Sequence, residues 1–399
     1  MERSDYAILN AAIRWRSTDA EHVDHRYLGA VGPLRDCLPG QLGACLESGA
    51  SYSACRESFS AGRLVPPVEG ALVRTIDRRL FKSRPRPRIQ VVPQVGRFYP
   101  MYFLENEARP ASEERRPFRI LSMDDQRMIV DANHPLAGFP LEFEARVERW
   151  VEAPADPAVC PDVTIRLTAG GPGMQAELRE GETDFYSNEP FSREDAAKDT
   201  EFYRTPRLVQ HIDSQARACI SDLYARFLQP GMRVLDLMTS WVSHLPEDAK
   251  DFHVVGLGLN REELDANPQL SDRVMHDLNV CPRMPFDEAA FDLVICTVSV
   301  EYLVRPVEVF TEVARVLKPG GKLVITFSDR WFPTKAIRLW IELNPFERVG
   351  LVLSYLRQSG GFRDLKSETW RGWPRPQDDK YAGQLDLGDP VFAAWATRV

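Results

Sequence analysis

Short apolar runs separated by turn residues dominate the chain up to about residue 151. Runs of this length, apolar throughout or alternating with polar residues, are typical of β-strands. Proline and glycine interrupt them repeatedly, as expected of turns. The pattern predicts a mainly β module with one or two short helices, and with strands at AAIRW, RIQVV, RMIVD and LEFEARVERWV.

The pattern changes after Gly231, where apolar strands alternate with helical segments. Alternation of β and α elements with crossover connections predicts an α/β fold with a parallel, doubly wound sheet. Two late segments, FRDLKSET and VFAAWATRV, are expected to close the sheet as a pair of strands. The earlier predicted strands are RVLDL, HVVGLGL, VMHDL, FDLVICTVSV and KLVITFS, and the predicted helices are REELDANPQL and PVEVFTEVARVLKPGG.

Residues 152–204 are predicted to link the two parts. The stretch begins with EAPADPAVCPD, which has three prolines in eleven residues, a composition typical of extended linkers. The following VTIRLTAGGPGMQAELREG is expected to form a hairpin that turns at GGPG. Apolar residues at three- and four-residue spacing then predict an amphipathic helix over 206–228. The expected domains are therefore 1–151 and 205–399.

Length, charge and cysteine content narrow the class of protein. A chain of 399 residues exceeds what one hydrophobic core usually serves, which supports two domains. The net charge of −8 argues against a general nucleic-acid binder. The seven cysteines include no CxxC pair, and the start of the chain does not match a signal peptide, so we expect reduced cysteines and a cytoplasmic protein. No apolar run reaches 18 residues, so no membrane segment is expected.

Polar residues follow four of the predicted parallel strands. Ligands of open α/β sheets bind at the carboxyl ends of the strands, so these residues are candidates for a binding site. They are Asp236 with the turn MTSWVSH, Asn260 after GLGL, the run Asp277-Leu278-Asn279, and Thr297 with Ser299.

The same region resembles the class I S-adenosylmethionine-dependent methyltransferases over roughly residues 205–399. DLN and PRMPF followed by FDLV, and LKPGG before a strand, are similar to that family's patterns. The resemblance implies a Rossmann-like fold, S-adenosylmethionine as cofactor and S-adenosylhomocysteine as product. The cofactor-binding residues that it implies are Asp236, Met238, Ser240, Gly258, Asn260, Asp277, Leu278, Asn279, Thr297 and Ser299.

Two positions depart from the family pattern. The loop after the first strand has no glycine, although the family uses glycine there to let the backbone approach the cofactor. Gly258 stands where the family has an acidic residue that binds the ribose, and Asn260 is the nearest polar candidate. We expect a remodelled site in which Ser240 and Ser243 offer hydroxyls. The alternative is that cofactor binding has been lost and only the scaffold remains.

Further side chains are candidates for catalysis and for the methyl acceptor. The segment FYRTPRLVQHID, residues 202–213, is expected to cover the pocket, although its polar groups equally suit helix capping and surface ion pairs. No clear acid/base pair or metal cluster is present, which favours a small thiol or sulfide acceptor. The catalytic candidates are Tyr203, Arg207, His211 and His244, and the acceptor-binding candidates are Tyr302, Trp331 and Phe332, with packing roles as the alternative.

The first module resembles FKBP/SlyD-type peptidyl-prolyl isomerases over about residues 5–151. The resemblance rests on IVDANHPLAG, HVDHR and LPGQLGACLESGASYS. It implies a small α+β domain in which Asp24 is the pocket acid, but Ile13 stands at a tyrosine position and the alanine-tyrosine-glycine segment is missing. A plainer interpretation of Asn133 and His134 before Pro135 is a turn in which both side chains bind backbone groups.

Three functions remain open from the sequence alone. The first is a methyltransferase for a small-molecule acceptor, without nucleic-acid or membrane partners and with a homo-oligomer left open. The second is a folding factor in which the methyltransferase fold is a scaffold. The third is a protein methyltransferase whose first module recruits the polypeptide.

Overall fold

The computed structural model describes residues 6–32, 38–47, 54–83, 90–104, 116–152, 162–247 and 251–399. They form two compact units. The first unit comprises Met1–Pro190 together with Glu342–Leu351, and the second comprises Phe191–Ile341 together with Val352–Val399. None of the described helices combines the length and hydropathy needed to cross a bilayer.

The first unit contains two antiparallel sheets. One has the strand order β2-β1-β8-β3 and the other β4-β7-β6-β5. The prediction of a strand-rich first module is therefore confirmed, whereas the SlyD/FKBP resemblance remains a prediction. The elements are β1 (Tyr6–Arg16), β2 (Ala20–Val31), α1 (Leu42–Glu47), β3 (Cys55–Phe59), β4 (Val73–Asp77), β5 (Phe98–Pro100), β6 (Pro117–Met123), β7 (Arg127–Asp131), β8 (Leu141–Val151) and α2 (Val163–Thr168).

The boundary of this unit lies further along the chain than the predicted domain end at residue 151. The backbone of residues 163–187 is hydrogen-bonded to other parts of the first unit. The Asp184 amide donates to the Val95 carbonyl at 2.8 Å, and a guanidinium nitrogen of Arg119 donates to the Ala176 carbonyl at 2.9 Å. The composition that suggested a linker could not reveal these long-range hydrogen bonds.

Two local predictions for this unit were wrong. The start of the expected hairpin is helix α2, because the Asp162 carboxylate accepts from the Thr164 amide at 2.8 Å and caps a helix there. In RIQVV, residues 88 and 89 lie outside the described residues and the other three form no strand.

Two polar features of the first unit also bear on the predictions. The expectation of reduced cysteines was wrong for one pair, since Cys45 and Cys55 form a disulfide. The expected turn at Asn133 and His134 is confirmed: the Asn133 side-chain nitrogen donates to the Glu69 carbonyl at 3.1 Å, and the His134 ring accepts from the Leu136 backbone amide at 3.1 Å. Ile13 and Asp24 are partners across β1 and β2, and both are buried.

The second unit contains a seven-stranded sheet in the order β11-β10-β9-β12-β13-β15-β14. The first five of these strands are parallel, and β15 is antiparallel to both β13 and β14. This confirms the predicted α/β fold and the closing strand pair. The elements are α3 (Asp199–Phe202), α4 (Ser214–Ala225), β9 (Arg233–Leu237), β10 (His253–Gly258), α5 (Arg261–Ala266), β11 (Asp272–Met275), β12 (Phe291–Thr297), α6 (Pro306–Val316), β13 (Leu317–Phe327), α7 (Arg338–Glu342), α8 (Pro345–Gln358), β14 (Phe362–Arg371) and β15 (Val391–Arg398).

Helix α4 is shorter than the predicted helix over 206–228. Asp213 ends the preceding loop, because its side chain accepts from the Ala216 amide and caps the helix. Its other oxygen accepts from the Asp389 amide at 2.6 Å. The apolar spacing therefore begins upstream of Ser214, the first helical residue.

Helix α8 begins in the part of the chain that belongs to the first unit and ends in the second unit. A buried ion pair joins its first turn to the rest of the first unit. Glu347 is 2% exposed, and its carboxylate lies 3.4 Å from the Nε of Arg97, which is 1% exposed. The same carboxylate accepts from the Phe98 amide at 2.8 Å and the Asn344 amide at 3.2 Å. Burial nevertheless raises the pKa of Glu347, so the ion pair and hydrogen bonds offset only part of the cost of burying the charge.

Removing one partner should leave the other charge buried and unpaired. We expect Glu347→Ala to lower the free energy of unfolding by about 3–5 kcal/mol. The matched control is Glu180→Ala at an exposed position, with an expected change below about 0.5 kcal/mol. Urea unfolding of both variants measures the difference, and equal losses would contradict this role for Glu347.

Candidate functional site

A cleft opens at the carboxyl ends of the parallel strands β9, β10 and β12. Its volume is about 1130 Å³, including space that is open to solvent. Of the predicted site residues, Ser243 and Trp331 do not line the cleft; those that do are Tyr203, Arg207, His211, Asp236, Met238, Ser240, Gly258, His244, Asn260, Asp277, Leu278, Asn279, Thr297, Ser299, Tyr302 and Phe332.

The loop after β9 is held by side chains instead of being shaped by glycine. Met238 and His244 have φ angles of 57° and 56°, in the left-handed region that glycine usually occupies. The Asn267 side-chain amide donates to the Ser240 carbonyl and to the Ser243 hydroxyl, both at 3.0 Å. Asn267 is fully buried, and sequence reasoning missed it because it lies 23 residues beyond the loop.

Glycine is required on the neighbouring strand instead. A Cβ atom at Gly258 would collide with the backbone carbonyl oxygen of Thr239 in this loop. The Thr239 amide in turn donates to the Leu257 carbonyl at 2.9 Å. The loop therefore packs directly on the end of β10, which explains why Gly258 cannot be the acidic residue of the family pattern.

A carboxylate enters the site from another position, Glu263 on α5. Its two oxygens accept from the Arg207 amide at 2.7 Å and from the Ser240 hydroxyl at 2.6 Å. Glu263 is 7% exposed and lines the cleft. The sequence signal was Asn260-x-x-Glu263 after a strand, a pattern typical of a helix N-terminus.

Asn260 is committed to the protein backbone. Its side-chain oxygen accepts from the Glu263 amide at 3.0 Å, which caps α5. Its side-chain nitrogen donates to the carbonyls of Tyr203 at 2.7 Å and Arg204 at 3.2 Å. Both N–H groups are therefore used, whereas we had expected this amide to bind a ribose diol.

The run Asp277-Leu278-Asn279 forms a tight turn at the edge of the cleft. One Asp277 oxygen accepts from the Asn279 amide at 3.0 Å and from the Val280 amide at 3.3 Å. The Asn279 side chain donates to an Asp199 carboxylate oxygen at 2.7 Å and to the Tyr302 carbonyl at 2.9 Å. Asp277 retains acceptor capacity toward the cleft, whereas both N–H groups of the Asn279 side chain bind protein groups.

The hydroxyls after β12 also have protein partners. The Thr297 hydroxyl is 2.6 Å from the buried Tyr224 hydroxyl. The Ser299 hydroxyl donates to the Thr297 carbonyl at 2.9 Å. These two residues line the cleft while fixing the end of the strand.

Two histidines and several aromatic rings line the part of the cleft near residues 202–213. The His211 side chain is exposed, but partial desolvation in the cleft lowers its pKa, and Lys380 and Arg207 lower it further against the opposing effect of Glu263. Burial and the nearby Arg217 lower the pKa of His244 to about 4. Both shifts favour the neutral imidazole at pH 7, which is the form that can accept a proton.

The tyrosines of the same region stay protonated. Burial raises the pKa of Tyr203 and of Tyr302 above the usual value. The Tyr302 hydroxyl accepts from the Phe332 amide at 2.9 Å. Among the described residues, no group of three or more His, Cys, Asp or Glu side chains is arranged to hold a metal ion.

A parallel α/β sheet with a cleft at the carboxyl ends of its strands is typical of nucleotide-binding domains. A methyltransferase domain model matches residues 239–325, which run from the glycine-free loop to β13. The second unit therefore carries a methyltransferase domain over these residues, which implies S-adenosylmethionine as the cofactor.

Individual relatives match only parts of the chain. A sterol 4-C-methyltransferase of Caenorhabditis elegans is 38% identical over 60 residues, which are 15% of this chain and 18% of that protein. A ubiquinone/menaquinone biosynthesis C-methyltransferase of Laribacter hongkongensis is 29% identical over 122 residues, 28% of this chain and 49% of that protein. The matches thus span half or less of the curated relatives.

Among solved structures, an S-adenosylmethionine-dependent methyltransferase from Aquifex aeolicus is similar at 18% identity and a TM-score of 0.31. The alignment covers 50% of this chain and 97% of that one.

Asp236 makes the stability of the protein depend on pH. It is 1% exposed, and burial raises its pKa to about 7 against the hydrogen bonds from Thr239 and Ser243. A folded-state pKa above the unfolded value gives a contribution that is complete below about pH 4 and is lost as the pH rises through 7.

As the pH rises from 5 to 8, the wild type should lose stability relative to Asp236→Asn, by a few kcal/mol at most. Thermal unfolding at the two pH values measures this loss. Asp287→Asn, at an exposed position, is the control and should follow the wild type. A constant difference between Asp236→Asn and the wild type would show that Asp236 does not titrate in this range.

Proposed function

We propose that the second unit methylates a small acceptor whose reacting oxygen or carbon atom must lose a proton. The observation that carries this proposal is the pair of neutral histidines, His211 and His244, in the same cleft as the cofactor loop. S-adenosylmethionine supplies an electrophilic methyl group on a sulfonium. A ring nitrogen of one histidine takes the proton from the acceptor.

The residues present fit this cofactor. By the resemblance, the loop from Met238 to His244 would hold the methionine part of the cofactor, and Asp277 and Leu278 would hold the adenine; residues of both segments line the cleft. Glu263 supplies a buried carboxylate near Ser240, and its oxygens keep lone pairs for the ribose hydroxyls. It would thus perform the task of the acidic residue that Gly258 replaces.

The acceptor class differs from the thiol that the sequence favoured. That preference depended on the lack of a clear acid/base pair, and the two histidines remove this reason. Both curated relatives are C-methyltransferases by name, and a carbon acceptor also loses a proton. We therefore place hydroxyl and carbon-acid acceptors ahead of thiols.

Cofactor binding tests the first half of the proposal. Asp277→Asn keeps the oxygen that closes the turn but removes the negative charge, so the fold should persist while affinity for S-adenosylhomocysteine falls about tenfold, or about 1.4 kcal/mol. Calorimetric titration of the whole protein measures this loss, with Asp287→Asn as the control. Unchanged affinity in a folded Asp277→Asn variant would remove Asp277 from the site.

Proton removal tests the second half. Radiolabelled S-adenosylmethionine with a panel of phenols, β-diketones and thiols identifies the accepted substrate. On that substrate we expect His211→Asn to lower kcat by about 10²–10⁴-fold. Because a base must be neutral and the pKa of His211 is lowered, wild-type activity should persist below pH 6.5 and fall only at lower pH.

The exposed His253, which pairs with Asp272, provides the control variant His253→Asn, which should keep wild-type activity. A preference for thiols together with full activity of His211→Asn would contradict the role of His211 and the acceptor class.

A further inference from the structure

Arg207 lies among aromatic rings at the wall of the cleft. Its guanidinium carbon is 4.5 Å from the centre of the Phe202 ring, 5.3 Å from that of Phe332 and 5.8 Å from that of Tyr203. Its backbone amide is held by Glu263 at 2.7 Å. Stacking on rings and a fixed backbone limit the positions of the guanidinium before any ligand binds.

The hydrogen bonds of this guanidinium are incomplete. Arginine carries five N–H donors, and here Nη2 donates to the Phe202 carbonyl at 3.1 Å. Nη1 is buried and has no hydrogen-bond partner among the described residues. An unpaired buried donor on a charged group costs free energy, which an acceptor from a ligand would recover.

The charges around Arg207 do not neutralise it. No carboxylate of the described chain forms an ion pair with it, and the nearby Asp199 is already paired with Arg193 at 2.8 Å and with Lys335 at 3.3 Å. The Glu263 oxygens bind the Arg207 backbone and Ser240. This part of the cleft therefore presents a positive group with a planar pair of donors, the geometry that carboxylates fit best.

We propose that Arg207 binds the carboxylate of a ligand in this cleft. The inference rests on the proposed function and specifies the ligand chemistry of the same site. Two sources have this chemistry, the methionine end of the cofactor and a carboxylate on the acceptor. Lysine at this position would keep the charge but lose the planar pair of donors, so recognition should be only partly retained.

The experiment uses the full chain and four variants or forms: wild type, Arg207→Gln, Arg207→Lys and the control Arg204→Gln. Arg204 is exposed, and within the described residues only its backbone is engaged: its carbonyl accepts from the Asn260 side chain and its amide donates to the Glu201 carbonyl. The first two probes are S-adenosylhomocysteine and 5′-methylthioadenosine, which lacks the amino-acid end. The second two are benzoate and its neutral analogue benzamide, measured by ligand-observed NMR with and without S-adenosylhomocysteine.

A cofactor carboxylate predicts at least a tenfold loss of S-adenosylhomocysteine affinity in Arg207→Gln, a smaller loss in Arg207→Lys, and unchanged binding of 5′-methylthioadenosine. An acceptor carboxylate predicts unchanged binding of both nucleosides, with benzoate but not benzamide binding to the wild type and benzoate lost in Arg207→Gln. In either case Arg204→Gln should behave as the wild type, and retained nucleoside binding shows that the variant is folded.

Two results would overturn the proposal. One is a parallel loss of both nucleosides in Arg207→Gln, which indicates a structural role. The other is that neither S-adenosylhomocysteine nor benzoate depends on Arg207. If the wild type binds neither nucleoside, the proposed function fails, and the benzoate measurement without nucleoside still decides whether Arg207 holds a carboxylate.

Discussion

The carboxylate of Glu263 is the contact on which the shape of the cleft depends. It accepts from the Arg207 amide and from the Ser240 hydroxyl, so one buried side chain fixes both residues 202–213 and the loop after β9. A loop without glycine cannot rely on backbone freedom for its shape. It needs such side-chain partners, and Asn267 supplies two more hydrogen bonds to the same loop.

The two departures from the methyltransferase pattern have one physical cause. The Thr239 carbonyl occupies the space beside β10 where a side chain at position 258 would lie. Once the loop takes this path, glycine becomes necessary on the strand and the acidic residue cannot stay there. Glu263, one helical turn beyond Asn260, brings a carboxylate back to the cleft by another route. The missing loop glycine and the missing acid are thus consequences of a single change in packing.

The parallel strands and the cleft were predictable because both depend on local signals. Apolar runs such as RVLDL and FDLVIC predicted β9 and β12. Polar residues at the strand ends predicted most of the side chains that line the cleft. Glu263 was missed because Asn-x-x-Glu indicates a local helix cap, whereas its side chain turns to a segment 56 residues away. The predicted length of α4 was wrong because Asp213, which caps the helix, is held by a hydrogen bond from Asp389, 176 positions away. Neither contact leaves a periodic signal in the sequence.

Several polar side chains that the sequence suggested as ligand contacts instead hold the protein together. The amides of Asn260 and Asn279 donate to protein acceptors, and Ser240 and Thr297 bind other side chains. Such neutral groups stabilise the walls of the cleft. The groups with remaining capacity are a guanidinium, two neutral imidazoles and the carboxylates of Asp277 and Glu263. With Arg207 assigned to a ligand carboxylate, the imidazoles are the groups left to take a proton, and this suits a nucleophile that becomes anionic when it loses its proton.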